Sequence, residues 1–199
     1  MPLAPHQAAR IRTLLDGGWA DQACSDEQPE YWITFDRLLA QIESPEELHA
    51  FADQWNWDRG TPPMRRVLDH SLCDRGTALM IYWRIDPVFF LNPKHDTRKK
   101  VEAVLWPDAI IHWDILRHIE RRLAANDFRS ARIPFDPTND HGRDRTKQRF
   151  RKKPPVPLFK VVNGQPVQVG VNHLPEDPEF DAHASLPPIV FQPVIDDSP

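Results

Sequence analysis

The sequence predicts a mainly α-helical fold, either stacked α-hairpins or an irregular helical bundle, with a Pro-rich C-terminal extension containing a β-hairpin. Three observations carry this expectation. Apolar residues recur at helical spacing through most of residues 4–125. Helix-starting sequences recur with them, including a four-residue segment used twice. After Phe128 proline becomes frequent and the helical period stops.

The elements follow in order. Ala8, Ile11, Leu14 and Leu15 define a first helix from Ala4 to Asp16, ended by Gly17-Gly18. Pro29 suits the first turn of a second helix, whose stripe is Trp32, Phe35, Leu39 and Ile42. Ser44-Pro45-Glu46-Glu47 is the best-defined helix start. Ser44 can cap, Pro45 fits the first helical position and Glu47 can complete a capping box. Leu48, Phe51, Ala52 and Trp55 then form the buried stripe, and His49 falls off it, toward solvent.

Asp58-Arg59-Gly60-Thr61 and Asp74-Arg75-Gly76-Thr77 stand sixteen positions apart, each before a helical pattern. Gly60 and Gly76 permit a turn of positive φ. Thr61 and Thr77 can cap the following helix, and Asp58 and Asp74 can accept from amides in the turn. The six residues are therefore assigned as turn and cap hardware, a stop, turn and restart used twice. The helix after Thr77 is apolar nearly all round, which predicts a central, buried element. Asp86-Pro87 stops it. Asp96 can cap a helix carrying Val101, Val104 and Leu105. Pro107 opens the longest helix, to about Ala125, with Ile111, Ile115, Ile119 and Leu123 as its core stripe. Arg117, Arg121 and Arg122 complement the dipole at its C-terminal half.

Beyond Phe128, residues 141–153 are strongly basic, from Arg143 to Lys153. Leu158–Val162 and Val167–Val169 flank Asn163-Gly164, a hairpin signal. The division expected is a helical domain at 1–128, a basic Pro-containing linker at 129–155, and at 156–199 a β-hairpin with an acidic Pro-rich tail packed on the helical domain.

The chain has 199 residues and a net charge of −4, enough length for one core without disulfides or a structural metal. The acidic balance argues against a general nucleic-acid binder and suits a basic protein partner. Cys24 and Cys73 form no metal or redox pattern, which fits a reducing compartment. Met1–Arg10 has no signal-peptide pattern and Ala78–Ile85 is too short to span a bilayer, so a cytoplasmic protein with no membrane role is expected. No catalytic residue, metal ligand or cofactor is assigned. His112 and His118, six apart on one helix, do not stack as ligands.

The segment from Ser44 to Arg84 resembles the bacterial domain-of-unknown-function family 4274. The residues carrying the resemblance are Ser44-Pro45-Glu46-Glu47-Leu48-His49, Phe51, Trp55-Asn56-Trp57-Asp58 with Gly60, and Cys73-Asp74, Gly76-Thr77-Ala78-Leu79 and Tyr82. The resemblance implies a small α-helical bacterial protein and no activity.

The functional expectation is a non-enzymatic protein-binding module, specifically an immunity protein that neutralises a cognate toxin. Asp21, Asp26, Glu27 and Glu30 are its candidate contacts with a basic toxin domain. The alternatives are an enzyme of unrecognised type using Asp58 and Asp74 with Cys73, and a nucleic-acid-binding accessory protein using the basic run at 141–153.

Overall fold

The structure, a computed structural model, describes residues 2–16, 29–104 and 108–167. It is mainly helical. Among the described residues the helices are α1 (Pro5–Asp16), α2 (Pro29–Leu39), α3 (Pro45–Gln54), α4 (Pro62–Asp69), α5 (Arg75–Arg84), α6 (Pro87–Phe90), α7 (Arg98–Glu102) and α8 (Ala109–Ala124). Five of them open on proline, whose fixed φ suits a first helical position that needs no amide donor.

α3 lies between α1 and α5, and α5 also packs against α6 and α8. α8 in turn touches α4 and α7. The centre is α5: every residue from Gly76 to Trp83 is buried. The indole of Trp83 donates to the Leu158 carbonyl at 2.9 Å, and its ring meets Phe150 and Phe159 edge-on. The Pro-rich part of the chain therefore closes one side of the core.

At α3, the Ser44 hydroxyl accepts from the Glu47 amide at 3.2 Å. The Glu47 carboxylate reaches back to the amide of Glu43, one residue earlier than a standard capping box, and holds Arg10 of α1 at 2.7 Å. A cap and an inter-helix tie are thus made by one fully buried carboxylate.

Local spacing misplaced three details. His49, expected in solvent, is buried, because α1 and α5 cover α3 from both sides and leave no open face. The N-cap of α7 is Thr97, while Asp96 pairs with Lys100 at 2.8 Å; the helix ends at Glu102, and Leu105 lies outside the described residues. On α8 the buried stripe is His112, Ile115, Leu116 and Ile119, with Ile111 and Leu123 only half-buried. A strict spacing of four drifts about 40° per step around a helix, so four such positions cannot all face one core.

Residues 129–167 pack along the helices. Ile133, Phe135, Leu158 and Val162 are buried, and Phe135 and Val162 exchange both backbone bonds at 2.9 Å in an antiparallel bridge. Packing thus runs across both positions, 128 and 155, at which composition divides the chain. Of the hairpin expected about Asn163-Gly164, the first arm holds this bridge and a 3-10 turn at Val156–Phe159. Gln168 and Val169 of its second arm lie outside the described residues.

Candidate functional site

The two Asp-Arg-Gly-Thr copies do not start their helices in the same register. In the first, α4 begins after Thr61, which stands at the N-cap with no side-chain cap bond; its hydroxyl is buried without a partner. Asp58 is exposed in a 3-10 turn at Trp57–Arg59, where Asn56 supplies the turn-stabilising acceptor. Gly60 takes φ 87°, the left-handed conformation a Cβ would strain.

In the second copy α5 begins three positions earlier in the motif, directly after Asp74. Asp74 is the N-cap, accepting from the Gly76 amide at 2.7 Å. Its fully buried carboxylate also accepts from the Ser130 hydroxyl at 2.5 Å and from the amides of Arg132 and Ile133 at 2.9 and 3.3 Å. Gly76 lies inside the helix, and its role is close approach: a Cβ there would stand 2.0 Å from the Ile133 carbonyl oxygen. Thr77 does not cap. Its hydroxyl lies 3.0 Å from His49 Nδ1. Asp74 and Asp58 thus serve different neighbours and form no carboxylate pair. Cys73 is buried, and desolvation pushes its thiol up to about 12, so no thiolate is available at neutral pH.

Beside Thr77 opens a polar cleft of about 450 Å³ lined by His49, Asp53, Arg84, Asp140 and His141 among others. Arg84, the last residue of α5, is its hub. The guanidinium contacts Asp53 at 2.6 Å and Asp140 at 2.9 Å, and donates to the Asp53 carbonyl at 3.0 Å. Arg145 reaches Asp140 from the other side at 2.8 Å. Burial disfavours the charged form of every one of Asp53, Arg84 and Asp140. Mutual attraction and hydrogen bonding outweigh it, so the two carboxylates sit below their usual range and the guanidinium above its own.

A tight turn aims Asp140 at this hub. Asp140 and Arg143 form an antiparallel bridge, with His141 at φ 50° and Gly142 at φ 81° between them. Two successive positive φ values define the type I′ turn that suits a two-residue hairpin. The exposed His141 ring then lies 3.2 Å from Asp53. His49, inside the cleft, is held down to about 4, chiefly by desolvation, so its imidazole is neutral at pH 7.

Asp53, Arg84 and Asp140 come together from positions 31 and 56 residues apart, and no local pattern announces them. Of its members the sequence singled out His49, and Arg145 only as part of the basic run. Chemically the cluster is charge-balanced and internally bonded. It fastens the 134–145 segment to α3 and α5, and a histidine held near 4 is poorly matched to general base work at neutral pH.

Among the described residues no group of three or more His, Cys, Asp and Glu is arranged to hold a metal ion. No helix among them is long and apolar enough to cross a membrane. Arg122 donates to the Leu68 carbonyl at the end of α4, and to the Asp127 carbonyl at 2.8 Å. It is therefore a stitch between helices as well as a charge at the end of α8. Of the four acidic candidates, Glu30 is exposed in the first turn of α2; Asp21, Asp26 and Glu27 lie outside the described residues. In the basic run Arg145 and Lys147 pair with Asp140 and Asp144, whereas Arg143, Arg149, Arg151, Lys152 and Lys153 are exposed.

Residues 43–124 match the family described as Domain of unknown function (DUF4274). The similarity read between Ser44 and Arg84 is shown, and it extends to the end of α8. No curated protein and no solved structure matches the chain.

Proposed function

We propose that this chain, whose central segment resembles a family without an assigned activity, is a non-enzymatic protein-binding module, specifically an immunity protein that neutralises a basic toxin domain in the bacterial cytoplasm. The observation that carries the reading is the outer face of α2. Ile33 is 66% exposed there, with Glu30 exposed one turn before it and Asp36, paired with Arg66 at 2.6 Å, one turn after, while Phe35, Leu38 and Leu39 anchor the opposite face in the core. A rigid helix holding an apolar side chain between acids has the anatomy of a contact patch, an apolar centre within a polar rim. Acidic groups beside it speed capture of a basic partner. Asp21, Asp26 and Glu27 precede this helix in sequence and are proposed as further contacts with the basic partner.

Polar groups deeper in the molecule favour the same reading. Asp74 is committed to four donors, and Asp53 and Asp140 to Arg84.

The test is binding to the product of a neighbouring toxin gene, with toxicity measured in cells. Ile33→Asp and Glu30→Lys are expected to weaken binding about tenfold or more each and to lower protection in the same order. A toxin that binds wild type and both variants equally, or whose toxicity the wild-type chain leaves unchanged, removes the proposal.

A further inference from the structure

The basic run at 141–153 has no part in the proposed function, and charge is divided unevenly along the chain. Residues 168–199 hold six Asp and Glu and no Lys or Arg. Although the whole chain carries −4, residues 1–167 therefore carry a net positive charge of two. The objection that an acidic protein makes a poor nucleic-acid binder applies to the chain average and not to this larger part.

Two grooves adjoin on the surface where the basic run meets α8. One, of about 640 Å³, is lined by Arg149, Phe150, Lys153, Pro154, Val156 and Phe159 among others. The second, of about 600 Å³, is lined by Arg65, Trp113, Arg117, Glu120, Arg121 and Pro155 among others. Pro154 and Val156 line the first and Pro155 the second, so a single stretch of chain at 154–156 borders both grooves. Arg149 and Lys153 are exposed and have no ion-pair partner among the described residues. The acids at the second groove are already engaged: Glu120 with Arg117 and Tyr82, and Asp114 with Arg98. Phe150, Phe159 and Trp113 are half-buried, so each anchors in the protein and leaves part of its ring toward a groove.

We propose that this face binds single-stranded nucleic acid, with bases against the aromatic walls and phosphates at Arg149, Lys153 and Arg121. Free cations flanking partly exposed aromatic rings are the two components such binding needs, and base stacking tolerates any sequence. An acidic polypeptide would use the cations and leave the rings idle. Glu30 and Ile33 line neither groove, so this inference stands or falls separately from the toxin-binding face.

The experiment is fluorescence anisotropy of labelled oligothymidylate with the full chain across a salt series. Competitors are unlabelled oligothymidylate and polyglutamate of matched charge. Three phosphate contacts give a slope of about −2 in log affinity against log salt. Arg149→Ala with Lys153→Ala removes two exposed side chains without touching the core. It is expected to flatten the slope by about 1.4 and to weaken binding about tenfold at low salt. No binding at low salt, unchanged binding by the double variant, or displacement by polyglutamate as effective as by oligothymidylate would each overturn the proposal. The last outcome would mark a surface that reads charge alone.

Discussion

Replacing Asp74 by Ala removes one carboxylate and four hydrogen bonds together. The Gly76 bond is the N-cap of α5, and such caps contribute about 1 kcal/mol. The Ile133 amide belongs to a residue only 1% exposed; a buried donor left without an acceptor costs about 1–3 kcal/mol. The amide of Arg132 and the hydroxyl of Ser130 are nearer to water and contribute less, about 0.5–1 kcal/mol each. Relief from burying the carboxylate offsets part of the sum, leaving a net loss of about 3–4 kcal/mol. In urea, with an m-value near 2 kcal/mol/M, the unfolding midpoint should fall by about 1.5–2 M, followed by far-UV circular dichroism and tryptophan fluorescence. Asp74→Asn keeps an acceptor for Gly76 but points its amide at the Arg132 donor, and should lose about half as much. A midpoint change worth under about 1 kcal/mol for Asp74→Ala would refute this account and return Asp74 to the list of residues kept for chemistry.

The register difference between the two copies predicts opposite outcomes for one substitution. Thr61→Val removes a buried hydroxyl with no partner and should be neutral or slightly stabilising, whereas Thr77→Val leaves His49 Nδ1 unpaired and should cost about 1–2 kcal/mol in the same urea assay. Gly76→Ala places a methyl against the Ile133 backbone and should lower the midpoint by an equivalent of about 2–3 kcal/mol. Arg84→Ala leaves Asp53 facing Asp140 with Arg145 and the exposed His141 as the remaining partners; a loss of about 3–5 kcal/mol is expected, and a smaller one for Arg84→Lys. His49 sets an acid dependence. The unfolded chain takes up its proton below about pH 6.5 and the folded chain only near 4. The His49 contribution is thus full above 6.5 and is lost as pH falls from 6.5 toward 4, by about 3 kcal/mol in all. His49→Gln should flatten the stability profile across that window, and an unchanged slope between pH 6.5 and 4.5 would contradict the burial argument.

Helix positions were legible because their signals are local. Ser44-Pro45 and Pro29 start helices where the sequence says, and the apolar run after Thr77 is the buried centre. The duties inside the repeated segment were not legible. Gly60 and Gly76 look alike in sequence, yet one serves a positive φ and the other a backbone pressed against it from position 133. Asn163-Gly164 carries the stronger hairpin signal, while a two-residue turn forms at His141-Gly142. The second arm of the Asn163-Gly164 hairpin runs outside the described residues, and Gly164 also gives room to the Arg132 carbonyl, 1.7 Å from where a Cβ would stand. The polar cleft was invisible because α3, α5 and the 140–145 turn each contribute one or two ordinary charged residues. Only their meeting at Arg84 makes them a unit.

The bonds of Asp74 have a consequence for the order in which the molecule is assembled. The family match ends at residue 124, but three of the four donors to Asp74 lie at 130–133. Synthesis proceeds from the N-terminus, so Asp74 emerges 56 residues before the first of the groups that complete its cap. Until they arrive, the nascent centre of the core carries a carboxylate with one internal partner and must keep water beside it. In a chain ended at residue 124, Asp74 would keep one of its four donors, the Gly76 amide, so the Pro-rich segment supplies most of what satisfies the start of the central helix.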